Sequence, residues 1–152
     1  MKFGAALALA PLFASLLQDA LAYSALRPTD WPTLLVPVPL GSQRLGERGF
    51  NQALEIARPL ARSLTLRLVP KLVARVRETP AQAGLAARQR QKNLRGAFIV
   101  PHRAIGLVAG QHIGIVDDVM TTGATLHELA TTLKRFGARR VTNLVFARTL
   151  PR

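Results

Sequence analysis

The sequence predicts an α/β domain built on a mainly parallel central sheet flanked by helices, and three observations carry that prediction. Short apolar runs at 33–36, 97–100, 113–116 and 141–147 have the length of buried strands. Between them, apolar residues recur at helical spacing over about 51–63 and 126–136. Hydrophobic residues make up 49% of the chain against 19% charged, with six Phe, one Trp and one Tyr, so the core is aliphatic and a disordered chain is excluded. At 152 residues the chain has the length of one domain, with 1–30 as an N-terminal helical segment and 33–152 as the core.

Taken in order, Met1 and Lys2, an apolar run to Leu17 and the triplet Ala20-Leu21-Ala22 imitate a secretory signal. However, a single basic residue precedes the run, Pro11 interrupts it, and 11–17 reads as a helix with proline in its first turn, so a packed helix is the expectation. A bilayer needs about 20 apolar residues, so no membrane span is expected and a cytoplasmic location is. Pro28, Asp30 and Pro32 make 27–31 a turn. The strand at 33–36 runs into Pro37-Val38-Pro39, which cannot continue a ladder and forces an extended loop through Gly41, Ser42, Gly46 and Gly49. Phe50, Ala53, Leu54, Ala57, Leu60, Ala61 and Leu64 then mark a helix. Residues 66–76 alternate apolar and basic side chains, a strand pattern broken by Pro70. Residues 78–95 hold many amides and cations and few large apolar groups, which predicts a basic loop with one helical turn at 85–90. Strand 97–100, strong strand 113–116, amphipathic helix 126–136 and closing strand 141–147 complete the pattern.

Charge narrows the partners. The net charge of +13 is concentrated in residues 44–103, which carry +10, whereas 1–43 are neutral. Nearly all of it is arginine, whose planar fork grips phosphate bidentately, so polyanions or phosphorylated small molecules are favoured. Zero cysteines exclude disulfides, thiolate metal sites and a cysteine nucleophile. His102, His112 and His127 are scattered without carboxylates at ligand spacing, so no protein metal site is predicted from them.

The chemistry is carried by Ile113-Gly114-Ile115-Val116-Asp117-Asp118-Val119-Met120-Thr121-Thr122-Gly123-Ala124-Thr125-Leu126. A buried strand delivers two adjacent carboxylates, and a hydroxyl-rich loop with one glycine leads directly into a helix. Backbone N–H groups at Thr121, Thr122, Gly123, Ala124 and Thr125, with the helix N-terminus, offer donors to a phosphate. Asp117 and Asp118 offer acceptors to two sugar hydroxyls. That polarity suits a ribose 5-phosphate. Receiver domains also pair acidic residues after a strand, yet no Asp follows Asp118, and the G-x-x-x-x-G-K-[ST] loop of NTPases is absent.

This stretch resembles the phosphoribosyl-diphosphate-binding motif of type I phosphoribosyltransferases. Val36-Pro37-Val38-Pro39-Leu40 with Arg44 and Arg48-Gly49-Phe50-Asn51-Gln52, and Thr79, Gln82, Leu85, Arg88, Asn93 and Ala97-Phe98, extend the resemblance to the ComF family of competence-associated, phosphoribosyltransferase-like proteins over nearly all of the chain. Such proteins usually begin with a cysteine-rich zinc ribbon, and this cysteine-free sequence starts where the ribbon would end, so either the ribbon is absent from this lineage or the start is truncated. The resemblance implies a type I phosphoribosyltransferase-like fold with a small N-terminal helical hood. It also implies binding of 5-phosphoribosyl 1-diphosphate, or another ribose phosphate, with Mg²⁺ mainly held through the substrate. Asp117 and Asp118 would hold ribose and Mg²⁺, and Thr121 to Thr125 the 5-phosphate. Arg44, Arg48 and Arg88 would act catalytically by stabilising the leaving diphosphate, with Lys92 beside Arg88. A solvated basic loop is the plainer alternative for these cations, and Asn51 and Gln52 are read as a helix cap or loop anchor.

The implied activity is transfer of the phosphoribosyl group to an acceptor that the sequence does not name, in the context of DNA uptake. The rival reading is a non-catalytic module that keeps the phosphate cradle and binds single-stranded DNA or DNA-uptake proteins. Its contact with DNA would be mainly electrostatic, because aromatic platforms are scarce. Self-association into a homo-oligomer is left open.

Overall fold

In the computed structural model, residues 4–24, 27–77 and 94–149 are described, with side chains from Ala8 onward. The N-terminal helix α1 spans Gly4–Ala22 and carries Pro11 within it. A short 3-10 turn at Pro28–Asp30 leads into β1, Leu34–Pro37, whose residues are all buried. Two helices follow, α2 at Ser42–Arg48 and α3 at Gln52–Ser63. The two-residue strands β2 (Arg67–Leu68), β3 (Ala74–Arg75) and β4 (Phe98–Ile99) come next. A 3-10 helix at His102–Leu107 precedes β5, His112–Met120, and α4 (Ala124–Arg135) connects β5 to β6, Arg140–Arg148.

Among the described residues, β2, β1, β5 and β6 form one four-stranded parallel sheet in that order, and β3 and β4 form a separate antiparallel pair. Both faces of the sheet are covered, as parallel sheets require. On one face Ala10, Ala14, Leu17 and Leu21 of α1 pack with Ile56, Ala57, Leu60 and Ala61 of α3 against Leu35, Val116 and Leu144. On the other, Leu126, Leu129 and Leu133 of α4 join Leu72, Val73 and Phe98 against Leu34, Val36, Ile113 and Ile115. Phe13 of α1 stacks on Phe146 of β6 with ring centroids 3.8 Å apart.

Several predicted elements shift. The segment at 42–48, expected as loop, is the helix α2, closed by Gly49 at φ 76° in the left-handed conformation that glycine adopts without a Cβ clash. The alternating stretch 66–76 does not make one strand: β2 joins the main sheet, β3 pairs with β4, and Pro70 lies between them. β5 runs four residues beyond its predicted end, so both aspartates lie on the strand itself. The predicted basic loop at 78–95, with its turn at 85–90, falls almost wholly outside the described residues. No helix of the described chain is long and apolar enough to cross a membrane.

Candidate functional site

The strand order creates the site. From β1 the chain crosses through α3 to β2 on one side, and from β5 it crosses through α4 to β6 on the other. The two connections diverge between β1 and β5, and the crevice beyond the carboxyl ends of those strands is where open α/β sheets hold ligands.

Hydrogen bonds fix both walls. Val38 N–H donates to Val116 O at 2.9 Å, which carries the β1–β5 pairing past Pro37. Asn51 Nδ2 donates to Val38 O at 3.0 Å, and Asn51 Oδ1 accepts from Leu54 N–H at 3.4 Å, so one side chain both caps α3 and anchors the loop after β1. That matches the role read for Asn51 in the sequence. Arg48, the last residue of α2, hydrogen-bonds the side chain of Gln52, the first residue of α3.

The crevice is a cavity of about 420 Å³ whose lining includes Arg44, Arg48, Arg75, Asp117, Asp118 and Thr125. Beside it a smaller cavity of about 40 Å³ is lined by the turn Met120, Thr121, Thr122, Gly123 and Ala124 leading into α4. Gly123 has φ 76°, a conformation that disfavours any Cβ, and a Cβ there would lie 3.4 Å from Met120 Sδ. Ala124 N–H donates to Thr122 Oγ1 at 3.4 Å, the local bond that shapes the turn. The structure thus brings Arg44 and Arg48 together with Asp117, Asp118 and Thr121 to Thr125. Arg88 and Lys92 lie outside the described residues.

The two aspartates differ. Burial first, and the neighbouring Asp118 charge second, push the Asp117 pKa up to about 7. Asp117 Oδ1 accepts the Asp118 N–H at 3.0 Å, and Asp118 Oδ1 accepts the Val119 N–H at 2.8 Å, which orients both carboxyls along the strand end. Among the described residues, neither Arg44 nor Arg48 forms a salt bridge with this pair, so opposite charges share one cavity without neutralising each other. A partly buried carboxyl pair of this kind fits hydroxyl donors and a hard divalent cation such as Mg²⁺.

Arg75 is the cavity residue that sequence reasoning missed. It stands on β3 opposite Phe98, with its guanidinium 5.8 Å from the Phe98 ring centroid, and Arg75 Nε donates to Arg77 O at 3.1 Å. Its signal lay in the alternation of 66–76, but which basic residue faces the crevice depends on the register of β3 with β4. The histidines do not converge: His102 and His127 are exposed, and His112 is buried with its Nε2 2.8 Å from Thr142 Oγ1. No group of three or more potential metal ligands gathers among the described residues.

Comparison with known proteins agrees with this architecture. Residues 51–150 match the family model described as the phosphoribosyl transferase domain. A protein of Escherichia coli O6:H1 named DNA utilization protein YhgH is 43% identical over 119 residues, covering 78% of this chain and 51% of that protein. The Salmonella typhimurium protein of the same name is 42% identical, covering 89% of this chain and 58% of its own. Competence protein F of Haemophilus influenzae is 36% identical, covering 72% and 48%. The chain therefore spans about half the length of the curated relatives it matches. Among solved structures, the glutamine phosphoribosylpyrophosphate amidotransferase of B. subtilis superposes with a TM-score of 0.57 at 17% identity, covering 95% of this chain and 27% of that one. Adenine phosphoribosyltransferase from Thermoanaerobacter pseudethanolicus gives 0.53 at 16%, covering 91% and 79%. At these identities the structural likeness establishes the fold alone.

Proposed function

This chain belongs to the phosphoribosyl transferase domain family, and on that premise we propose that its crevice binds 5-phosphoribosyl 1-diphosphate together with Mg²⁺ and presents it for transfer to an acceptor. The observation that carries this reading is the sharing of one cavity by a carboxylate pair and three arginines, with a glycine-turned phosphate cradle beside it. Asp117 and Asp118 accept hydrogen bonds from the ribose hydroxyls. The N–H groups of the turn 121–125 and the N-terminus of α4 receive the 5-phosphate. Arg44, Arg48 and Arg75 receive the diphosphate, whose oxygens suit guanidinium forks.

In transfer, a nucleophile on the acceptor forms a bond to the sugar C1 as the C1–oxygen bond breaks, and the electron pair leaves with the diphosphate. Negative charge grows on that leaving group, so preorganised arginines act where the charge develops. Mg²⁺, when bound, supplies further positive charge to the diphosphate, and Asp117 and Asp118 are the residues that would help hold it. The names of its relatives, DNA utilization protein and competence protein F, support a role for this binding in DNA handling.

Calorimetric titration of the purified chain with 5-phosphoribosyl 1-diphosphate, with and without Mg²⁺, tests the reading. Micromolar binding that requires Mg²⁺ is expected. Absence of heat and of thermal stabilisation under both conditions overturns it.

A further inference from the structure

The crevice accounts for Arg44, Arg48 and Arg75, which leaves other cations of the same basic stretch without a role. At the opposite end of the sheet, the last turns of α3 and the strand after it border a cleft of about 600 Å³ lined by Arg58, Arg62 and Arg67 with Ala61, Leu66 and Leu68. Register fixes its place: Arg67 pairs with Leu34 at the start of β1, whereas the crevice lies past Pro37 at its end. The turn that joins the two halves of the cleft holds Thr65 at φ 54°, the one non-glycine residue with positive φ among those described. Thr65 N–H donates to Arg62 O at 3.2 Å and Leu66 N–H to Ala61 O at 2.9 Å, and this reversal brings Arg67 into the same cleft as Arg58 and Arg62.

Three guanidiniums in one cleft repel one another unless anions offset them. Among the described residues, only the Arg58–Glu55 pair at 3.1 Å does so, and Arg62 and Arg67 have no carboxylate partner. We propose that this cleft binds the phosphodiester backbone of a nucleic acid strand. Arg58 and Arg62 stand one turn apart on α3, a rise of about 6 Å, close to the separation of successive phosphates along an extended strand. Guanidinium forks match phosphate oxygens, and the apolar floor of Ala61, Leu66 and Leu68 tolerates sugar edges. No aromatic side chain lines the cleft, so bases have no stacking platform and binding is independent of sequence. A peptide fits less well, because β2 is two residues long, too short to pair with an added strand. The site is separate from the ribose-phosphate crevice and stands or falls without it.

The test is fluorescence anisotropy of a labelled oligothymidylate of about 20 nucleotides, titrated with the full chain over a potassium chloride series. Wild type is compared with Arg58→Gln/Arg62→Gln/Arg67→Gln. The slope of log affinity against log salt is expected to shrink by about 2, since each single-strand phosphate contact contributes about 0.7. Calorimetric titration with 5-phosphoribosyl 1-diphosphate should give the same result for both proteins. The triple lysine variant should keep the wild-type slope, because charge is retained. The single variants Arg62→Gln and Arg67→Gln, each at an exposed position, should each remove about 0.7 from the slope and provide the test if the triple variant folds poorly. Unchanged affinity and slope in the glutamine variants overturns the proposal, as does competition by polyglutamate as effective as that by unlabelled oligonucleotide.

Discussion

Burial and the adjacent Asp118 carboxylate hold the Asp117 pKa up at about 7, so near neutral pH this group is partly protonated in the free protein. Ribose hydroxyls and Mg²⁺ both favour the ionised form, so binding at pH 6.5 should expel a proton and affinity should rise as pH climbs through 7. Titrations in two buffers of different ionisation heat will read that proton; identical heats would contradict the assignment. The same shift has a consequence for stability. The folded pKa lies above the unfolded value of 3.8, so the folded state holds the extra proton, and the advantage present below pH 4 is lost as pH rises toward 7. Asp117→Asn keeps the shape and removes the charge, so its melting temperature should exceed that of wild type at pH 8, by up to about 4 kcal/mol in stability, and the gap should narrow at pH 5 and close below pH 4. Asp118→Asn is expected to weaken 5-phosphoribosyl 1-diphosphate binding by about 10–100-fold, the worth of a charge-assisted hydrogen bond. An unaltered affinity would remove Asp118 from the sugar site.

At the scale of the element, two glycines in adjoining elements do different work, and substituting them separates fold from function. Gly114 sits inside β5, where an added Cβ would lie 2.6 Å from Leu35 Cδ2 and 2.9 Å from Pro32 Cγ. Gly114→Ala should therefore cost about 1–3 kcal/mol of stability by overpacking while leaving ligand affinity near wild type. Gly123 faces the cradle at φ 76°, so Gly123→Val should block phosphate approach in a chain that still folds, at a strain cost of about 1–3 kcal/mol. Equal ligand affinity in wild type and Gly123→Val, measured on folded protein, would disprove the cradle. Gly123 was legible in the sequence because strand, acidic pair, hydroxyl loop and helix occur in one continuous stretch. The helix α2 was not, since Gly41, Ser42, Gly46 and Gly49 are the residues of a loop, yet 42–48 forms a helix with no buried residue, closed by Gly49. The true length of β5 was also hidden. Asp117 and Asp118 break the apolar run, yet the strand continues because β6 pairs with it as far as Met120 and Arg148.

For the whole molecule, the sheet order turns one basic stretch of sequence into two separate surfaces. Composition located the charge in residues 44–103 but could not divide it, because helix α3 carries the chain from one end of the sheet to the other in the middle of that stretch. Arg44 and Arg48 before the helix and Arg75 on the β3–β4 arm share the crevice, while Arg58, Arg62 and Arg67 share the opposite cleft. Arg75 escaped the sequence reading for this reason: its place follows from pairing with a strand 23 residues away, Arg75 to Phe98. The division yields a test on ligands that differ by one group. In Arg44→Gln/Arg48→Gln/Arg75→Gln, affinity for 5-phosphoribosyl 1-diphosphate should fall at least about 100-fold, since hydrogen bonds to charged groups are worth about 1.5–3 kcal/mol each. Affinity for ribose 5-phosphate, which lacks the diphosphate but keeps the groups met by Asp117, Asp118 and the turn 121–125, should fall far less, because it lacks the group that the guanidinium forks grip. Parallel losses for both ligands would mean that the arginines organise the crevice as a whole. A loss confined to the diphosphate ligand would assign them to the leaving group, which is where a transferase needs its positive charge.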